Sequence, residues 1–175
     1  MVRKLTARDV EFTIEHEPED EPIEGNASAI DDETDKRVVK WILDQLSRGN
    51  TWAWCRVKVS ASPEVSLQVR DWQPPGSSTG PVIVLLAGLG GNARYFDSLA
   101  PALAARSRVI AISRRGYGLS DKPIPVKTAT QFYEVDTLVA DLKAVLDALG
   151  VQRVVLGGHS IAGNELTRFA GLYPN

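Results

Sequence analysis

The stretch from Arg153 to Gly163 constrains this chain more than any other. Val154-Val155-Leu156 is a compact aliphatic run, which predicts a buried strand. It leads into Gly157-Gly158-His159-Ser160-Ile161-Ala162-Gly163, and residues 164–169 then read as a helix. A strand and a helix joined this tightly put Ser160 at the apex of a sharp turn, a nucleophile elbow. Such a turn forces the apical residue into strained backbone angles and crowds the positions two residues away on each side. Those positions are Gly158 and Ala162, both small. Gly163 is expected to let the helix pack close to the strand. Ser160 Oγ would stand exposed beside the positive end of the new helix. A Gly-x-Ser-x-small match alone is weak, because any loop serine between a strand and a helix could produce it. Its force depends on the flanking chain.

From Pro81 onward, strands and helices alternate. Val82-Ile83-Val84-Leu85-Leu86 is an uninterrupted apolar run, as in a strand buried on both faces. Ala87-Gly88-Leu89-Gly90-Gly91 is a tight loop. Ser98 can cap a helix in which Pro101 sits in the first turn and Leu99 and Leu103 face inward. Val109-Ile110-Ala111-Ile112 is the next strand. A helix over 136–149 carries Leu138, Leu142, Val145 and Leu149 as its apolar stripe, and Gly150 ends it. The β-α-β-α-β-α series implies an α/β fold with a parallel sheet and right-handed crossovers.

Upstream, Asp31-Asp32 can cap a helix over 33–48 with Val39, Ile42, Leu43 and Leu46 on one face. Residues 51–59 alternate, with Ala53, Cys55, Val57 and Val59 on one face and Trp52, Trp54, Arg56 and Lys58 on the other. Ser60-Ala61-Ser62-Pro63 turns the chain, and Val65, Leu67 and Val69 line a second strand, giving a hairpin at a sheet edge. The Trp pair is read as cover for the sheet face under the preceding helix rather than as a binding platform. Cys55 reads as a small core hydrophobe.

Residues 1–35 hold 12 acidic and 3 basic side chains, while residues 36–175 hold 10 acidic and 17 basic. The acidic part has too few large apolar residues to offset its ordering entropy, so residues 1–30 are expected to be a disordered tail. A docking tail or a self-mask for the basic remainder is the alternative to a merely solvated one. Three segments result: the tail at 1–30, a helix packed on the sheet at 31–50, and an α/β domain at 51–175. One cysteine permits no intrachain disulfide, no apolar run can span a bilayer, and no h-region follows the basic start. A cytoplasmic protein is the default expectation, with no metal, cofactor, nucleic acid or membrane partner implied.

At this point the chain resembles the α/β-hydrolase family over residues 65–175. The resemblance rests on three motifs in the family's order. They are Ala87-Gly88-Leu89-Gly90-Gly91-Asn92 after a buried strand, Arg114-Arg115-Gly116-Tyr117-Gly118-Leu119-Ser120-Asp121-Lys122-Pro123 after the next, and the elbow at Ser160. It implies a three-layer partial hydrolase sheet, with strand 82–86 between 109–112 and 153–157. It also implies a serine hydrolase acting on a small-molecule ester or related acyl bond through an acyl-enzyme. Ser160 would be the nucleophile, and the backbone N–H groups of Leu89 and Ile161 the oxyanion hole. Gly158, His159, Ala162 and Gly163 would support the elbow. Ala87 stands where the family usually has histidine. A serine, not an aspartate, disfavours the epoxide-hydrolase and dehalogenase branches. The rival is an NADP-binding Rossmann-like module, on Gly88-x-Gly90-x-x-Ala93 with Arg114-Arg115 for a 2′-phosphate.

Acyl transfer also needs a base and a group to orient it. The chain has two histidines. His159 should point away from Ser160 Oγ, and His16 lies in the acidic tail. The family's acid and histidine come after the elbow helix, and here the sequence ends at Tyr173-Pro174-Asn175. The expectation is therefore a truncated hydrolase, weak or inactive alone. A non-catalytic binding remnant of the same fold is the alternative. Strand 153–157 would then be an edge, open to self-association or to a complementing chain.

Overall fold

The structure, a computed structural model, describes residues 12–13, 52–76, 78–128 and 130–174. The expected helix over 33–48 and most of the acidic segment lie outside the described residues. The strands are β1 (Phe12–Thr13), β2 (Trp52–Ala61), β3 (Glu64–Trp72), β4 (Val82–Leu86), β5 (Val109–Ile112) and β6 (Val154–Gly158). A 3₁₀ turn covers Ala93–Phe96, and the helices are α1 (Ala100–Leu103), α2 (Val135–Ala148) and α3 (Ala162–Leu172).

These strands form a six-stranded sheet in the order β1-β2-β3-β5-β4-β6. β4 runs parallel to both β5 and β6, so the central strand is the one the sequence marks as apolar throughout. The hairpin β2–β3 joins antiparallel to β5 through Val69–Trp72. The sequence predicts five strands; the sixth is β1, whose Phe12 and Thr13 pair with Val57 and Arg56. β2 is therefore not the outermost strand. β6 starts and ends one residue later than expected, because its pairing with β4 runs from Val82↔Val154 to Leu86↔Gly158.

Alternation along the strands divides the interior in two. Val84, Leu86, Ile110 and Ile112 face α2 and α3, where they meet Val139, Leu142, Val145, Ala162 and Phe169. Leu85, Ala87, Val109 and Ala111 face the opposite side, against Ala93, Phe96, Ala100 and Ala104. This is a three-layer α/β arrangement with the sheet in the middle. Val57, Val65, Leu67 and Val69 extend the first core over the hairpin, and buried Cys55 belongs to it as a hydrophobe.

Two helix expectations need correction. Residues 93–103 form a 3₁₀ turn and a one-turn helix, with Leu99 rather than Ser98 at the N-cap and Asn92 capping the 3₁₀ turn. Leu99 is 47% exposed, because the short helix rests on the sheet through Ala100 and Ala104 instead. α2 buries Val139, Asp141 and Leu146 besides Leu142 and Val145. Its buried arc is wider than a single stripe because it packs against both the sheet and α3. Trp52 lies against Trp72 with ring centroids 6.3 Å apart, and the Arg70 guanidinium sits 4.0 Å over the Trp52 ring.

Candidate active site

The parallel register brings Leu86, Ile112 and Gly158 level at the C-terminal ends of β4, β5 and β6. The three motif loops therefore leave the sheet side by side, at the edge where open α/β sheets place their sites. Ser160 stands between β6 and α3, exposed, with φ +58°. A left-handed backbone angle is costly for a residue with a Cβ, and such strain persists only where surrounding structure imposes it. Here the imposition is visible at Gly158. A Cβ there would lie 2.9 Å from the Ala162 Cβ, 2.9 Å from the Leu86 carbonyl oxygen and 3.0 Å from Leu166 Cδ1. The small pair Gly158 and Ala162 is thus a steric condition of the turn. Gly163 is not: a Cβ there would meet nothing within 4 Å, so the expected close packing at that position is absent. α3 faces β6 through Ala162 and Leu166 instead.

His159 turns toward the loop after β4. Its Nε2 accepts from the Gly88 N–H at 3.2 Å, and its ring lies against Tyr95 at 5.0 Å between centroids. Ala87 Cβ packs into the second core, and the Ala87 carbonyl accepts a hydrogen bond from Arg114 Nη2. The Ala87–Gly88 peptide is therefore held at both of its polar atoms. The next peptide is fixed by the Gly91 N–H, which donates to the Gly88 carbonyl at 3.1 Å. Because a trans peptide points its C=O and N–H to opposite sides, this leaves the Leu89 N–H directed away from the loop's own closing bond. Among the described residues, neither Leu89 N–H nor Ile161 N–H donates to a backbone carbonyl in a turn or cap. The Leu89 side chain is 73% exposed.

The arginine doublet after β5 serves a role that sequence reasoning missed. Arg114 pairs with Glu165 on α3, both side chains being almost fully buried. Arg115 clasps both carboxylate oxygens of Asp141 on α2 at 2.6 Å and donates to the Phe132 carbonyl at 3.0 Å. Burial pushes the Glu165 carboxyl up, and Arg114 opposes that; burial likewise pushes Asp141 up against the pull of Arg115. A cavity of about 10 Å³ is lined by Arg114, Asp141 and Glu165 together with leucines and Ile112. With both guanidinium groups committed to buried carboxylates, neither remains for a 2′-phosphate. The signal in the sequence was an acidic residue in each of two helices, Asp141 and Glu165, opposite a basic doublet at a strand end.

The remainder of the second motif is bolted to the hairpin. Ser113 Oγ donates to Gln68 Oε1 at 2.8 Å and accepts from the Ala93 N–H at 2.9 Å, and Ser120 Oγ donates to the Ser113 carbonyl at 2.6 Å. Gly118, at φ +54°, leaves no room for a Cβ beside Gln68 and Ser113. Asp121 accepts from the Ser66 N–H at 2.7 Å and pairs with Arg56.

A sequence profile of the alpha/beta hydrolase fold matches residues 81–175, more than half of the chain. The chain belongs to the alpha/beta hydrolase fold family. It is 36% identical, over 111 residues, to the dihydrolipoyllysine-residue acetyltransferase component of an acetoin cleaving system from Pseudomonas putida; the match takes in 63% of this chain and 28% of that protein. It is 30% identical over 111 residues to 2-(acetamidomethylene)succinate hydrolase from Mesorhizobium japonicum, with 63% and 36% covered. Among solved structures it superimposes on epoxide hydrolase A from Mycobacterium thermoresistibile with a TM-score of 0.60 at 29% identity, over 71% of this chain and 36% of that one. The chain thus spans well under half the length of these relatives. Among the described residues no helix is long and apolar enough to cross a membrane, and no cluster of three His, Cys, Asp or Glu side chains could hold a metal ion. His16, the other histidine, lies outside the described residues.

Proposed function

We propose that this alpha/beta hydrolase chain carries the nucleophile and oxyanion hole of a serine acyl hydrolase, with a small-molecule ester or related acyl compound as substrate. The observation that carries the reading is the strained Ser160 at the β6–α3 junction, exposed beside a loop whose Leu89 amide has no backbone partner among the described residues. Ser160 Oγ attacks the acyl carbon, and the Leu89 and Ile161 N–H groups receive the developing oxyanion. The proton on Oγ must go to a base. His159 is turned to Gly88, which supports a base other than His159. The named substrates of the relatives are all acted on by longer proteins, and none is assigned to this one.

A thiol removes the need for that base, because a useful fraction ionises near neutral pH beside a helix N-terminus. The test is therefore Ser160→Cys with p-nitrophenyl acetate. Buried Cys55, with its thiol pushed up to about 12, leaves the parent chain as the blank. The expected result is a burst of one equivalent of nitrophenolate, with the acetyl group on residue 160, faster than a small thiol of equal pKa. Acylation no faster than that of the small thiol would sink the assignment.

A further inference from the structure

We infer that the buried Arg114–Glu165 pair is a positioning device that couples the helix of the nucleophile to the loop of the oxyanion hole; the inference rests on the role proposed for Leu89. Three elements meet at this guanidinium. Arg114 follows β5, its Nη2 holds the Ala87 carbonyl after β4, and its Nε holds Glu165 Oε2 on α3. Glu165 lies five residues beyond Ser160, in the first turn of α3. The Ala87 carbonyl belongs to the peptide just before the one that carries the Leu89 N–H. A single planar, bidentate group therefore fixes the loop's tilt relative to the helix on which the nucleophile depends. His159 grips the other end of the same Ala87–Gly88 peptide, so that peptide cannot rotate unless Arg114 or His159 lets go.

The alternative is that the pair merely fills the interior, as any well-matched buried pair does. The Arg115–Asp141 pair supplies the control. It is equally buried, and Arg115 meets both oxygens of its carboxylate, but it ties β5 to α2 and the Phe132 loop and makes no hydrogen bond to β4's loop or α3. Removing one partner alone would strand a buried charge, so each pair is replaced whole. The variants are Arg114→Met with Glu165→Leu, and Arg115→Met with Asp141→Leu. Arg114→Lys retains the charge but cannot span both acceptors as a guanidinium does.

All are made in the full chain carrying Ser160→Cys. Burst acylation by p-nitrophenyl acetate is followed as a function of pH, so that rates are compared at equal thiol ionisation. Amide hydrogen exchange is followed at Gly88, with Val84 and Leu85 of β4 as the global reference. Coupling through Arg114 predicts that both Arg114 variants lose roughly 10- to 100-fold in acylation rate, the scale of a small misplacement of reacting groups. It also predicts that Gly88 exchange quickens about tenfold beyond any change at Val84 and Leu85. The Arg115–Asp141 replacement should change only global stability. If the Arg114 variants behave like that control, with rate and Gly88 exchange tracking global stability, the coupling is wrong. Should the Ser160→Cys parent itself acylate no faster than a small thiol, the reading of the site fails, and Gly88 exchange alone still decides whether Arg114 holds the loop.

Discussion

The Gly88 N–H donates to His159 Nε2 at 3.2 Å, so the residue preceding the elbow serine is spent on the neighbouring loop. An acceptor Nε2 requires the neutral ring with its proton on Nδ1. Two-bond ¹⁵N–¹H spectra of the imidazole should show that tautomer. His159→Ala should cost about 1 kcal/mol, the net worth of one ordinary hydrogen bond, in chemical denaturation. A Nε2-protonated ring, or a variant of unchanged stability, would show that the contact is not formed in solution.

The elbow's glycines should separate sharply under substitution. At Gly158 a Cβ would press on the Leu86 carbonyl oxygen at 2.9 Å, a backbone atom that cannot swing aside. Gly158→Ala should therefore destabilise by about 1–3 kcal/mol, as other forced overpacking does. Gly163 lies in α3 with open space where its Cβ would be. Gly163→Ala should leave the fold intact and stabilise by up to ~1 kcal/mol, through the better helix propensity of alanine. Urea melts of the two variants check the contrast, and equal destabilisation would contradict it.

Gly158 and Gly163 also mark what the sequence could convey. The small residues flanking Ser160 can be read from spacing, because a tight turn imposes a local steric rule, and a Cβ at Gly158 would indeed be crowded by Ala162. Strand order came from the family resemblance, not from any local rule: the apolar run Val82–Leu86 said only that this strand is buried on both faces, and it does lie between β5 and β6. Gly163 was misread because its freedom depends on how α3 tilts over the sheet, which no local rule sets. Arg114, Glu165, Arg115 and Asp141 were missed as pairs for the same reason. Their partners are 51 and 26 residues apart, and charge alone does not say which acid meets which base. β1 was unread because two residues in an acidic run carry no periodicity of their own.

Cys55 predicts a stability change at alkaline pH. Burial foremost, with the charge of Asp71 adding to it, raises its thiol from 9.0 to about 12. The raised value means that the folded state keeps the proton after the unfolded state has lost it. The contribution is intact below about pH 9 and is lost as pH rises from 9 toward 12, by about 1.4 kcal/mol per pH unit in that window. Comparing wild type with Cys55→Ala at matched pH isolates the slope from other titrating groups. A thiol reagent at pH 8 should also fail to label the native chain yet label it fully in denaturant. Rapid native labelling would mean that the hairpin core opens.

The last prediction concerns β6. Among the described residues it is the outermost strand on its side of the sheet, bonded to β4 alone. Its free side offers unpaired N–H and C=O groups, and Val155 is 50% exposed in the middle of the strand. Neither proline nor an inward charge interrupts Val154–Leu156, and edges of this kind recruit other strands. Leu172 and Tyr173 at the end of α3 add exposed apolar surface, 46% and 37% accessible. The 175-residue chain is therefore expected to self-associate through β6 unless a complementing strand is supplied. Val155→Lys places a charge on that edge without touching Ser160 or the loop after β4. It should shift light-scattering mass toward the monomer and leave the far-ultraviolet dichroism unchanged. A monodisperse monomer from the parent chain, with a sharp and high melting transition, would mean that some other part of the molecule already covers this edge.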